Sequence, residues 1–144
     1  MSMRLVLDTN VVVAALRSRG GASRQWMASI LRGEHIVLIS VPIIIVYEAV
    51  LTGREHLSAM RLTTEQIARF LDGLCSVAEH VDTNPFWRPV LRVPNDEMVL
   101  EVAAQGRADL LLTFNVRDFA GCERFGVKAM SPGPALRQTG VTAS

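Results

Sequence analysis

Arg4-Leu5-Val6-Leu7-Asp8-Thr9-Asn10 is the stretch whose reading decides the fold. Leu5, Val6 and Leu7 are apolar without a break, the pattern of a strand covered on both faces in a parallel sheet. The run stops at a carboxylate, a hydroxyl and an amide. Ligands of open α/β sheets occupy the crevice beyond the carboxyl ends of the strands. The stretch therefore reads as a buried strand that delivers Asp8 to a candidate active site.

Working outward, Val11 to Leu16 reads as a helix capped by Thr9 or Asn10, broken by Arg17-Ser18-Arg19-Gly20-Gly21. A second helix is expected from Ala22 to Leu31, with Gly33 ending it, and a second strand from His35 to Ser40. Pro42 suits the first turn of a helix running to Leu51. That helix is apolar nearly all round, which makes Glu48 conspicuous: burial of an unpaired carboxylate costs several kcal/mol, so Glu48 is expected to be paired or to line a site.

Gly53 to Ser58 reads as a loop or short helix. Thr63-Thr64-Glu65-Gln66 opens a longer helix with a capping-box pattern, expected to reach Glu79. Pro85, Pro89 and Pro94 break up the next segment, where Val90 to Val93 is a candidate edge strand. Asn95-Asp96-Glu97 begins another helix, closed by Gly106. Asp109 to Thr113 repeats the opening signal, a buried strand running into polar residues. A short strand at Val127 to Met130 and a last turn of helix from Pro132 to Leu136 follow. The alternation predicts a three-layer α/β/α domain with a mostly parallel central sheet over residues 1–137, and a flexible tail over 138–144.

Composition narrows the function less than the motifs do. The 144 residues are 49% hydrophobic and 20% charged with a net charge of +1, so no overall field announces a polyanion partner. Fifteen residues are basic and only Lys128 is a lysine. Arginine suits bidentate phosphate contacts, and Arg17, Arg19 and Arg24 follow the first motif closely enough to meet a phosphate backbone. A solvated loop accounts for them equally well. Phe86 and Trp87 lie beside Arg88 and Arg92, where loop packing or a dimer contact is favoured over stacking on RNA. His35, His56 and His80 share no ligand spacing and read as surface or capping residues; Cys75 and Cys122 match no metal or redox pattern. The amino terminus shows no signal-peptide pattern, and the most apolar segment, Ile36 to Tyr47, is shorter than the roughly 20 residues of a bilayer span. A cytoplasmic protein that does not engage a membrane is expected.

The acids form the informative set. Asp8, Glu48, Asp96 or Glu97, and Asp118 can converge on one crevice, where several carboxylates need a cation to offset their repulsion. Hard oxygen donors without clustered cysteine or histidine select Mg2+ or Mn2+ over zinc, and such ions serve phosphodiester hydrolysis. No Ser, Cys or His nucleophile arrangement is apparent.

Val6-Leu7-Asp8-Thr9-Asn10, Glu48 in its apolar helix, Asn95-Asp96-Glu97-Met98-Val99-Leu100, and Ala108-Asp109 running to Thr113-Phe114-Asn115-Val116-Arg117-Asp118-Phe119 together resemble the PIN-domain ribonucleases. Within them the chain is most similar to the VapC-like toxin components of toxin–antitoxin pairs. Each motif alone is weak; the four in register, from Leu5 to Leu136, are strong. The resemblance implies that Asp8, Glu48 and Asp118 are metal-binding and catalytic acids. It puts Glu97 on the third position, with Asp96 as its substitute or as an orienting group. It further implies that Thr9, Asn10, Thr113 and Asn115 orient acids, water or phosphate. An endoribonuclease leaving 5′-phosphate and 3′-hydroxyl ends, a cognate antitoxin and a homodimer are also implied.

Three other readings compete. A housekeeping or DNA-directed PIN nuclease would share every motif, and an inactive binding module would share the fold. An aspartyl-phosphate phosphatase would want a second acid two positions after Asp8, where this chain has Asn10.

Overall fold

The computed structural model describes residues 2–139. Strands β1 (Arg4–Leu7), β2 (Ile36–Ile39), β3 (Glu79–His80), β4 (Leu110–Leu112) and β5 (Lys128–Met130) form one parallel sheet in the order β3-β2-β1-β4-β5. Between and after them run α1 (Thr9–Arg17), α2 (Ala22–Leu31), α3 (Val41–Leu51), α4 (Arg54–Met60), α5 (Thr64–Val77), α6 (Pro94–Gln105) and α7 (Pro132–Thr139). Successive strand residues point to opposite faces, yet Leu5, Val6 and Leu7 are all buried. Both faces of the sheet are therefore covered, as the unbroken apolar run requires.

The order of the strands positions the site. The chain starts in the middle of the sheet, builds outward through β2 and β3, then crosses back to lay β4 on the other side of β1. The direction reverses between β1 and β4, the topological switch point at which ligands enter such sheets. Leu7 is in register with Leu112, and Asp8 N–H donates to Leu112 C=O at 2.9 Å. The residues leaving β1 and β4 are thus neighbours: Asp8, Thr9 and Asn10 beside Thr113, Phe114 and Asn115.

The opposite end of the sheet is pinned by polar bonds. Arg4 N–H donates to Asp109 Oδ2 at 2.8 Å, its guanidinium pairs with Glu79, and Nε donates to Gly106 C=O at 3.1 Å. Gly106 permits this close approach, because a Cβ there would stand 2.7 Å from Leu38 Cδ1 and 2.9 Å from Val81 Cγ2. Deeper in the core, the Trp26 indole is fully buried and satisfies its N–H on Pro132 C=O at 3.0 Å, tying α2 to the start of α7.

Several local expectations change. Ser40 caps α3, and Pro42 sits in its first turn as expected, but the helix is not buried all round: Val41, Ile45, Glu48 and Ala49 are exposed. The capping box at α5 forms, with Thr63 Oγ1 accepting from Gln66 N–H at 3.2 Å and Gln66 Oε1 accepting from Thr63 N–H at 2.9 Å. That helix stops at Val77, because Glu79 and His80 leave it to become the edge strand β3. Val90 to Val93 is not a strand; the Val90 and Leu91 amides bond to the Glu97 carboxylate instead of to a ladder. Gly53 to Ser58 falls largely within α4. Helix α7 includes Gln138 and Thr139, where a flexible tail is expected, and residues 140–144 of that expected tail lie outside the described ones. His35 is buried rather than superficial: its Nδ1 accepts Met3 N–H at 3.0 Å and its ring lies 5.3 Å from that of Trp26. Cys75 and Cys122 are free thiols, and burial raises the pKa of both, which keeps them protonated.

Candidate active site

Asp8 is the N-cap of α1. Its Oδ1 accepts Thr9 N–H at 2.8 Å and its Oδ2 accepts the Thr113 hydroxyl at 2.7 Å, so one side chain joins the exits of β1 and β4. The carboxyl is only 7% exposed. Burial, augmented by the charge of Asp118, raises its pKa, while the bonds from Thr113 and Thr9 oppose the rise. A deeply placed acid that the protein holds against its own repulsion is a signature of functional sites.

Thr113 is fully buried and its hydroxyl also accepts Asn115 N–H at 2.9 Å. Asn10 Oδ1 accepts Phe114 N–H at 3.4 Å. The sequence after β4 is thereby folded back over the sequence after β1. Asn115 in turn accepts Asp118 N–H through its carbonyl at 2.9 Å, which fixes the single 3₁₀ turn Val116–Phe119 carrying the exposed Asp118. Tyr47 backs the crevice from α3: it is fully buried, its hydroxyl donates to Leu7 C=O, and burial with the nearby Asp8 charge holds it far above the usual phenol range. Its apolar neighbours in α3 hide this position from a reading of the sequence.

The two adjacent acids of α6 part company. Burial first, then the charges of Asp8 and Asp118, raise the pKa of Asp96. Asp96 thus lies within reach of the charges of those two. Glu97 does not join them. Its carboxylate accepts Trp87 Nε1–H at 2.8 Å, Val90 N–H at 2.9 Å and Leu91 N–H at 2.7 Å, and the residue is 9% exposed. A carboxylate carrying three N–H donors has little capacity left for an ion, and Glu97 makes these bonds within the protein. It clamps the 85–93 segment onto α6. Trp87, held by that clamp, packs its ring 5.1 Å from Phe125, while Phe86 is 85% exposed.

Glu48 is exposed on α3 and makes no side-chain hydrogen bond or ion pair among the described residues, so the argument from its burial fails. The arginines lie elsewhere. Arg17 ends α1, roughly 12 Å of helix rise from Thr9, and its guanidinium lies 3.4 Å from His56 Nδ1. Arg24 is spent on Ala15 C=O at 3.0 Å, and Arg19 is exposed in the loop between them.

The donors present suit a hard divalent cation: three carboxylates, one buried, repelling one another, with a hydroxyl and amides around them. Among the described residues no three His, Cys, Asp or Glu side chains stand together as a group able to hold a metal ion as placed. The fit is therefore one of chemistry and charge. No described helix is long and apolar enough to cross a membrane.

A five-stranded parallel sheet wound on both faces, with Asp8 leaving its central strand at the switch point, defines an open α/β domain. The family is more specific. A family model described as PIN domain matches residues 4–117, and the chain belongs to that family. Its members are generally nucleases and typically use divalent metal ions. No curated protein sequence matches the chain. Among solved structures, the crystal structure of FitAcB from Neisseria gonorrhoeae is similar in fold, with a TM-score of 0.51 over 90% of this chain and 98% of that one, at 18% identity.

Proposed function

We propose that this PIN domain is a metal-dependent endoribonuclease, the toxin of a toxin–antitoxin pair, with Asp8, Asp96 and Asp118 as its metal-binding acids. The reading is supported by Asp8, held between Thr9 and Thr113 at the β1/β4 switch point, and by the charges of Asp8 and Asp118 acting on Asp96. The likeness of the motifs adds Glu48, exposed on α3, as a fourth carboxylate.

A bound Mg2+ or Mn2+ would supply Lewis-acid activation of water and offset charge on the phosphate. The chain's own part is positioning. Thr113 and the Thr9 amide fix the Asp8 oxygens, Asn10 Oδ1 ties the two strand exits together by accepting Phe114 N–H, and Asn115 N–H donates to the Thr113 hydroxyl. Asp118 and Asp96, less buried than Asp8, can turn toward a cation that Asp8 alone cannot neutralise. In-line attack by water leaves 5′-phosphate and 3′-hydroxyl ends.

The toxin assignment, the antitoxin partner and a cytoplasmic setting rest on the likeness of the motifs to the VapC-like group. A homodimer has one further support: Val41 and Ile45 of α3 are 67% and 61% exposed. Sedimentation showing a monomer at micromolar concentration would remove it.

The test is cleavage of end-labelled single-stranded RNA with Mg2+, Mn2+ or EDTA, followed by mapping of the product ends. Cleavage with either ion, none in EDTA, and 5′-phosphate products support the reading. Cleavage in EDTA, or 2′,3′-cyclic phosphate ends, refutes it. Cutting of DNA in preference to RNA would favour a DNA-directed PIN nuclease.

A further inference from the structure

Phe114 stands where a nuclease would meet its substrate, and nothing in the fold needs it there. It follows Thr113 at the exit of β4, one residue from the hydroxyl that holds Asp8. Phe114 is 51% exposed and Val116, two residues on, is 39% exposed. Phenylalanine buried in a core gains about 1.5–3 kcal/mol from leaving water, and this ring forgoes much of that gain. The backbone around it is nevertheless fixed: Thr113 N–H donates to Met130 C=O at 3.0 Å, Phe114 N–H to Asn10 Oδ1, and Asn115 N–H to Thr113 Oγ1. The aromatic side chain is held out, not left loose.

Beside it lies an open cavity of about 380 Å³ lined by Phe114, Asn115, Val116, Arg117, Asp118 and Ser131, within the size range of small-ligand sites. Its wall offers an aromatic face, an amide and a hydroxyl for hydrogen bonding, and an exposed guanidinium. The Arg117 guanidinium makes no hydrogen bond or ion pair among the described residues. A flat, partly apolar group with polar edges, attached to an anion, matches this wall: a nucleobase on the ring and its phosphate on the arginine. A protein partner would want a broader apolar surface than one ring and one valine.

We infer that Phe114 is a stacking platform for a nucleobase of a single-stranded nucleic acid, adjacent to the bond to be cut, with Arg117 contacting the neighbouring phosphate. The inference rests on the nuclease reading and deepens it. It assigns a binding role to a residue between the orienting Thr113 and Asn115 that neither motif spacing nor hydrophobic periodicity singles out.

The test measures binding rather than turnover. Fluorescence anisotropy of labelled single-stranded RNA oligomers, and of the same oligomers made abasic, is followed with the full chain in EDTA at low salt. Phe114→Ala is expected to weaken binding of the base-bearing RNA about 5- to 100-fold. Phe114→Tyr and Phe114→Trp should stay within about threefold of wild type, whereas Phe114→Leu should behave like the alanine variant. The abasic oligomer should bind wild type and Phe114→Ala alike. Because the ring is half exposed, unchanged melting of the variants serves as the folding control. If wild type binds RNA and Phe114→Ala or Phe114→Leu binds it equally well, the stacking role is overturned while the nuclease reading survives. If wild type binds no oligomer, the stacking role is overturned, while the nuclease reading is judged separately by cleavage with Mg2+ or Mn2+.

Discussion

The Thr113 hydroxyl donates to Asp8 Oδ2 at 2.7 Å across 105 residues of sequence, joining the ends of two neighbouring strands through one buried hydrogen bond. Thr113→Val removes the donor and leaves a buried carboxylate short of a partner, at a cost of about 1–3 kcal/mol. Chemical denaturation at neutral pH is expected to show that loss, with Thr113→Ser close to wild type. Equal stability of the valine variant would mean that the bond does not organise the crevice.

Asp8 should weaken the fold it serves. Its pKa is raised, so the folded chain retains a proton that the unfolded chain has already released. Stability of the metal-stripped protein therefore falls as pH rises from the ordinary carboxylate value of 3.8 through the raised folded value, and stays reduced above it. Asp8→Asn removes the charge and keeps an oxygen for the Thr9 amide. Without metal, that variant should melt above wild type at pH 7, with the gap closing toward about pH 4. A variant melting below wild type across this range contradicts the sign.

Asp96 and Glu97 should separate cleanly on substitution. Asp96→Asn is expected to leave melting nearly unchanged and to reduce cleavage by about two orders of magnitude or more, the loss of one acid from a centre worth several kcal/mol. Glu97→Gln cannot accept all three of its N–H donors. Hydrogen exchange should quicken at Val90 and Leu91, and Trp87 fluorescence should shift, while metal affinity changes far less than in Asp96→Asn. The reverse pattern would restore Glu97 to the centre.

A histidine far from the site gives a second pH dependence. Burial lowers the pKa of His35, whose Nδ1 accepts Met3 N–H and so must be unprotonated. As pH falls below the ordinary value of 6.5, the unfolded chain takes up the proton first, and stability declines until the folded histidine also titrates. Melting curves from pH 8 to 5 should show this decline in wild type and a shallower one in His35→Gln. Parallel curves would contradict it.

How much of this was legible in the sequence depends on what each signal encodes. Leu5-Val6-Leu7-Asp8 and Leu110-Leu111-Leu112-Thr113 disclosed strands and their polar exits, because burial on both faces leaves a run that only a parallel sheet tolerates. The capping box was equally plain, since its bonds are local. Choosing between Asp96 and Glu97 was not possible from spacing. Both sit in the first turn of α6, and what sets Glu97 apart is its bonds from Trp87, Val90 and Leu91, in a proline-broken loop whose path has no periodic signature. Glu48 misled for a related reason: an apolar helix suggested burial all round, whereas α3 leaves Val41, Ile45 and Glu48 in solvent. Phe114 carried no signal at all, because a single aromatic after a strand is ordinarily core.

The most direct test of the acidic centre is the initial rate of RNA cleavage by folded Asp8→Asn against wild type, at saturating Mg2+ and again at saturating Mn2+. The account predicts a loss of about two orders of magnitude or more with either ion. A variant that cuts RNA at the wild-type rate would contradict it.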